Sequence, residues 1–153
     1  MLKLILTNSK GEEIMYNVMP CTESDKSQII DGLVEYNLSN VPATQEVLFA
    51  DMSRKIVDDD GKIMAGAIAR MYGWNCVYVD SLWVDKNQRG KGIGKHLLTE
   101  LEKEAKEKGA YLIHLDTFDF QAKGFYEKLG YTVFGVLEDC PKGHCRYYLK
   151  KSL

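Results

Sequence analysis

The sequence predicts a mixed α/β fold with one central β-sheet flanked by helices, in the order β-β-α-β-β-β-α-β-α-β-β. Three observations predict it. Runs of β-branched and aromatic residues separated by glycine turns fill residues 54–84, an amphipathic helical pattern follows a glycine-rich loop, and a strand, a short helix and two closing strands come after.

Residues 2–7 and 13–18 read as strands joined by the turn Asn8-Ser9-Lys10-Gly11. Thr22 or Ser24 caps a helix running to about residue 37, with Ile29, Ile30, Leu33 and Val34 on one face. Residues 42–46 are a loop or a short helix. Residues 54–57 and 63–72 flank Asp58-Asp59-Asp60-Gly61, and an Asp-Gly step between two such runs marks a hairpin because glycine accepts the positive φ of the turn. Tyr72-Gly73-Trp74-Asn75 makes the next turn into a strand over residues 76–84.

A glycine-rich loop covers residues 86–94, and a helix then runs to about Lys108. Ile93, Leu97, Leu98, Leu101 and Ala105 form its apolar stripe; Glu100, Glu102, Lys103, Glu104 and Lys106 form its wet side. Gly109 is a natural stop. Residues 111–117 are a strand, 121–129 a short helix ended by Gly130, and 131–137 and 145–150 the closing strands around a loop holding Pro141 and Gly143.

The chain has 153 residues, 45% of them apolar and 27% charged, which is the size and make-up of one globular domain. No repeat, low-complexity tract or linker divides it, so a single domain over 1–153 is expected. The net charge of −2 argues against general nucleic-acid binding, which needs a basic surface. No apolar run approaches the ~20 residues that span a bilayer, and the short apolar start lacks a cleavage site. The expectation is a cytoplasmic protein. Cys21, Cys76, Cys140 and Cys145 match no common zinc spacing and are read as free thiols, with no metal site.

The chemistry concentrates in Val84-Asp85-Lys86-Asn87-Gln88-Arg89-Gly90-Lys91-Gly92-Ile93-Gly94-Lys95, between a strand and a helix. Backbone N–H groups at a helix start are unpaired and the helix dipole adds positive potential there. Glycines let an anion approach closely, so the segment is a phosphate cradle. A P-loop is excluded, because Arg89 stands where its first glycine belongs and His96 follows Lys95 in place of Ser or Thr. A dinucleotide fingerprint is excluded because Lys95 replaces its third glycine.

What fits is R-x-x-G-x-G at Arg89, Gly92 and Gly94. With its flanking strand Ser81-Leu82-Trp83-Val84 and the following helix, this resembles the pyrophosphate-binding loop of the GNAT superfamily of N-acetyltransferases. A second block, Ala122-Lys123-Gly124-Phe125-Tyr126-Glu127-Lys128-Leu129-Gly130-Tyr131, resembles that family's A-x-x-F-Y-x-K-x-G-F segment. The resemblance covers about residues 31–153, is closest to small bacterial members, and is weakest over the first ~20 residues, which read as a local addition. It implies a GNAT-type fold and an acetyl-CoA-dependent enzyme that acetylates a primary amine by direct attack.

The resemblance also implies roles. Arg89, Gly90, Lys91, Gly92, Ile93, Gly94 and Lys95 would hold the pyrophosphate. The backbone of Leu82 and Val84 would lie beside the pantetheine arm, with the Leu82 N–H polarising the thioester carbonyl. Phe125 and Tyr126 would close the cofactor site, and Tyr126 would protonate the departing thiolate. One position departs from the family: an asparagine that often touches the cofactor arm is Asp119 here, and a carboxylate keeps only the acceptor half of an amide, so that contact is not carried over.

The base that deprotonates the amine is read from the residues themselves. Strand alternation puts Asp80 on the same face as Leu82. It acts directly, through water, or only by pairing with the cationic amine, and the sequence leaves these open. Glu138 and His144 are weaker candidates; His96 and His114 read as structural. Asp116, Thr117, Trp83 and Tyr72 are read as residues that line the substrate side or, for the aromatic strand residues, the core. The acceptor reads as a small-molecule amine, since residues 28–52 and 137–144 carry no dense acidic cluster. A homodimer through the closing strands is one expectation from edge-strand physics. Two other readings stand beside the enzyme: a non-catalytic acetyl-CoA sensor, and an interaction module with a glycine-rich turn.

Overall fold

The computed structural model describes residues 2–153 and divides into two compact units, one ending at Pro42 and the other Ala43–Leu153. The first holds β1 (Leu2–Thr7), β2 (Glu13–Val18) and α1 (Glu23–Asn40). β1 and β2 form a separate two-stranded antiparallel sheet, registered from Leu2 opposite Val18 to Thr7 opposite Glu13. Its turn is held by Asn8, whose Oδ1 accepts from the Lys10 and Glu12 amides at 2.9 and 3.0 Å. Of the two predicted caps for α1, Thr22 is the one used. Its hydroxyl accepts from the Asp25 amide at 3.2 Å and the Asp25 carboxylate accepts from the Thr22 amide at 2.7 Å, a reciprocal capping box.

The second unit holds β3 (Phe49–Asp51), β4 (Arg54–Val57), β5 (Ile63–Tyr72), β6 (Cys76–Val84), α2 (Ile93–Glu107), β7 (Leu112–Phe118), α3 (Lys123–Lys128), β8 (Thr132–Glu138) and β9 (Cys145–Ser152). The strands make one sheet in the order β3-β5-β6-β7-β9-β8, with β4 also on β5. The predicted mixed architecture is therefore present. β3 is an addition: three residues are too few to show an alternation in sequence. Residues 42–46 form an irregular loop rather than a short helix.

The core of this unit lies on the sheet face that α2 covers. β5 presents Ala65, Ala67, Ala69 and Met71 to it, and β6, β7 and β9 add Val77, Val79, Ile113, Leu115 and Leu149. The three alanines leave room for Leu97, Leu98 and Leu101 of α2. Burying each of those leucines stabilises the fold by about 1.5–3 kcal/mol. Ala105 continues the stripe, and the predicted Ile93 packs at its edge.

Two features of the sheet shape the site. β6 and β7 are the parallel pair, and their ladder runs only from Cys76 opposite Leu112 to Val79 opposite Leu115. Beyond it β6 continues to Val84 and β7 to Phe118 without pairing to each other. The second feature is a bulge in β6. Ala69 pairs with Val79 but Ile68 pairs with Ser81, so Asp80 is the extra residue. The bulge shifts the alternation by one: Val79 and then Leu82 and Val84 face the core. Asp80 is exposed on the other side. The expectation that Asp80 and Leu82 share a face is corrected, because the alternation it relied on is broken at Asp80 itself.

Candidate active site

The loop between β6 and α2 begins with a short 3-10 turn, Lys86–Gln88, in which the Asp85 carboxylate accepts from the Asn87 amide at 2.8 Å. The chain then passes Gly90 at φ +76° and Gly92 at φ +81°, conformations that side-chain-bearing residues avoid. Gly92 is the N-cap of α2 and offers no side chain to the first turn. The first intrahelical bond is from the His96 amide to the Gly92 carbonyl, which leaves the amides of Ile93, Gly94 and Lys95 as the unfilled donors of the helix start. Arg89 reaches back to donate from Nε to the Val84 carbonyl at 3.1 Å, and the Lys91 ammonium bonds the Gln88 amide oxygen at 3.0 Å. Arg89, Lys91 and Lys95 are all exposed, so positive charge and free N–H groups share one loop.

Gly94 shows how tightly the parts meet. A Cβ there would lie 3.1 Å from Val84 Cγ2 and 3.7 Å from Phe125 Cζ. The end of β6, the start of α2 and α3 therefore converge on one point. Leu82, Val84, Ile93 and Phe125 all pack against the core at this convergence.

Tyr126 follows on α3 and is 6% exposed. Its ring stands edge-on to Phe125 and Tyr131, with centroids 5.1 and 5.8 Å apart. Burial, helped by the Asp116 carboxylate, pushes its phenol up to about 12. The group is thus held as a proton-bearing donor at neutral pH. α3 itself is tied to the end of β7: Thr117, buried, bonds through its hydroxyl to the Gln121 side chain and the Ala122 amide.

The sheet face away from α2 carries a polar and aromatic row. The Tyr78 hydroxyl donates to Asp116 Oδ2 at 3.0 Å, and Arg146 Nε donates to Asp116 Oδ1 at 2.6 Å. Arg146 also lies over the rings of Phe118 and Tyr148, and Arg70 over Tyr78. Tyr72 and His114 share a hydrogen bond of 2.8 Å, and burial followed by the nearby Arg70 charge holds His114 below the usual histidine range. His114 and Tyr72 are thus partners of each other. Asp116 is committed to two partners, Thr117 is a structural tie, and Trp83 is exposed near the end of β6. Asp80 borders a shallow hollow with Phe49, Asp51, Ser53, Ile68 and Arg70.

Asp119, the position that departs from the family pattern, is engaged elsewhere. Its carboxylate meets His144 Nδ1 at 3.0 Å and accepts from the Cys145 amide at 3.1 Å. Sequence reasoning singled out both residues but not their pairing, which joins positions 25 apart in the chain. Glu138 ends β8 and is exposed. The four cysteines are free thiols, and no cluster of metal-binding side chains occurs among the described residues. No described helix is long and apolar enough to cross a membrane.

A glycine cradle at a helix start, set beside a parallel strand pair whose ladder ends early, defines a site with free N–H groups and positive charge on one loop and open backbone groups on the neighbouring strand. Comparison with known proteins gives the family. The model of the acetyltransferase (GNAT) family matches residues 26–131. The chain is 37% identical over 91 residues to the blasticidin-S acetyltransferase of Streptomyces morookaense, covering 59% of this chain and 67% of that one. It is 32% identical over 130 residues to Acetyltransferase Atu2258 of Agrobacterium fabrum, covering 84% and 90%. The crystal structure of an acetyltransferase from Bacillus cereus superposes with a TM-score of 0.80 at 39% identity, over 90% of this chain and 98% of that one. The chain belongs to the GNAT acetyltransferase family and is an N-acetyltransferase; the family uses acetyl-CoA.

Proposed function

We propose that this chain transfers the acetyl group of acetyl-CoA to the primary amine of a small molecule, by direct attack in a ternary complex. The observation that carries the reading is the convergence at Gly94, where the uncapped start of α2, the end of β6 and Phe125 meet beside the separated edges of β6 and β7. A single acetyltransferase domain is the reading for the chain, and the family match supports it over residues 26–131.

The residues present fit acetyl-CoA by donor chemistry. The Gly92, Ile93, Gly94 and Lys95 amides, with Arg89, Gly90 and Lys91, supply the donors and charge that a pyrophosphate needs. The unpaired edge of β6 over Leu82 and Val84 supplies backbone groups for an amide-bearing arm. When bound, acetyl-CoA supplies an activated acyl group. The Leu82 N–H, on the part of β6 that does not pair with β7, would polarise the thioester carbonyl, a contact of a kind worth about 3 kcal/mol in the transition state. Tyr126 would give the leaving sulfur its proton, and the burial that keeps the phenol protonated would raise the thiolate's basicity too. Asp80, exposed at the bulge, draws in the cationic amine.

The small-molecule acceptor is supported by the blasticidin-S acetyltransferase relative and by the absence of a dense acidic surface in residues 28–52 and 137–144. The cytoplasm, where acetyl-CoA is made and used, is the compartment this activity fits. The test is thiol release from acetyl-CoA across a panel of primary amines that includes blasticidin S, amino acids, polyamines and a peptide with a free N-terminus. Turnover with small amines above the peptide supports the reading. Turnover with the peptide alone would overturn the acceptor class.

A further inference from the structure

We propose that His144 is the base that takes the proton from the acceptor ammonium, and that Asp119 is its positioning residue. The proposal rests on the acetyltransferase reading above and adds the group that reading lacks. An alkyl ammonium of pKa ~10 is only about 0.1% neutral at pH 7, so transfer is slow unless something accepts its proton. Asp80 is a carboxylate on the sheet face opposite the Leu82 side chain.

The geometry around His144 is that of a held base. Nδ1 lies 3.0 and 3.3 Å from the two carboxylate oxygens of Asp119. A carboxylate can only accept, so the hydrogen bond needs the proton on Nδ1, and in the neutral ring this leaves the lone pair on Nε2. Phe120 meets the ring edge-on at 5.1 Å and stacks on Phe118. The backbone is fixed as well. The His144 amide donates to the Pro141 carbonyl at 2.8 Å and the His144 carbonyl accepts from the Cys140 amide at 3.0 Å. The loop is stitched to the end of β7 by Asp119 and Cys145, whose amides each bond the other residue, to carbonyl and carboxylate respectively. Asp139, at φ +55°, is turned to the Gly143 amide and not to the ring. Among the described residues, Asp119 is the charged group paired with the imidazole. The side chain is 48% exposed, open to an acceptor and to water.

Asp119 is the first residue past β7, at the end where β7 has parted from β6, and the same stretch of chain leads into α3 and Tyr126. His144 is thus held against the strand end from which the chain runs on into α3 and Tyr126. The step balances. His144 Nε2 takes one proton from the ammonium, and the freed lone pair attacks the thioester carbon. The C–N bond forms and the C–S bond breaks. Tyr126 gives its proton to sulfur and regains one from the new amide nitrogen, and the imidazolium releases its proton to water.

Asp119→Asn makes a sharp test. Its amide oxygen is needed by the Cys145 N–H, which turns the amide NH2 toward Nδ1 and forces the proton of the ring onto Nε2, the wrong tautomer for a base. His144→Asn keeps a donor to Asp119 and removes the base. Thiol release is followed with the fastest amine of the panel and with hydroxylamine, which is mostly unprotonated near neutrality. Retention of the acetyl-CoA-induced thermal shift checks that each variant is folded and binds cofactor.

Both variants should lose about 100-fold in kcat with the amine near neutral pH, lose little with hydroxylamine, and recover as pH approaches ~10. Nitrogen-15 spectra should show His144 protonated on Nδ1 in the wild-type chain and on Nε2 in D119N. Equal losses with both nucleophiles at every pH, unchanged rates, or an Nε2–H wild-type ring would each overturn the proposal. A wild-type chain that binds acetyl-CoA but acetylates no amine would remove the underlying reading, and this proposal with it.

Discussion

Gly94 and Val84 sit so close that one added methyl at Gly94 would come within 3.1 Å of Val84 Cγ2. Glycine at this position is what lets the start of α2 lie against the end of β6. Gly94→Ala should therefore push the helix start outward, at a cost of about 1 kcal/mol in stability. The larger effect should be on cofactor, since the Gly94 amide is one of the unfilled donors. Chemical denaturation and acetyl-CoA titration of the variant check both. An unchanged Kd would mean that the loop tolerates the shift and that this convergence does not shape the cofactor site.

Gly92 makes a different demand. Its φ of +81° costs an L-residue about 1–2 kcal/mol, while open space surrounds the position where a Cβ would stand. Gly92→Ala should lower stability by about that amount through the backbone alone. A thermal midpoint equal to that of the wild-type chain would show that the loop relaxes freely.

Arg89 should act as a charge on the cofactor. Arg89→Ala should weaken acetyl-CoA binding about 10-fold, as expected for one charge-assisted contact, and should flatten the dependence of Kd on salt. Calorimetric titration at two ionic strengths reads this. A variant that keeps the wild-type affinity at both ionic strengths would leave Arg89 only its bond to the Val84 carbonyl.

Tyr126→Phe removes one hydroxyl from a buried ring. Thiol release should fall about 100-fold while acetyl-CoA affinity stays within a few-fold. The alkaline limb gives a second reading. Tyr126 is raised to about 12 against ~10 in the unfolded chain, so its contribution is full below pH ~10 and is lost as pH rises through 12. Tyr131 is raised as well, by burial and then by the Glu102 carboxylate, and adds to the same loss. Thermal midpoints from pH ~8 upward should fall beyond pH ~10, less steeply in Tyr126→Phe. A Tyr126 phenol that ionises with the exposed tyrosines would contradict its place in the core.

Much of this was legible in the sequence for physical reasons. The stripe Leu97, Leu98, Leu101 and Ala105 repeats at helical spacing and is the buried face of α2. Asp58-Asp59-Asp60-Gly61 is the β4–β5 turn, with the Gly61 amide bonded to the Asp58 carbonyl. The glycine-rich helix start from Arg89 to Gly94 was readable from its spacing, and Gly90 and Gly92 do take positive φ there. Asp80 was misplaced because a bulge is a property of pairing: nothing in Val79-Asp80-Ser81-Leu82 says that two of them will oppose Ile68. The Asp119–His144 pair was hidden for a similar reason. It depends on which loop closes against which strand end, and local sequence carries no such information.

If the loop after β6 holds acetyl-CoA as proposed, thermal unfolding with and without acetyl-CoA will show it. At a hundred times its Kd the cofactor should add about 2.7 kcal/mol of stability, a readily measured rise in midpoint. No rise at millimolar acetyl-CoA would mean that the loop does not hold the cofactor and would leave the fold without the chemistry assigned to it.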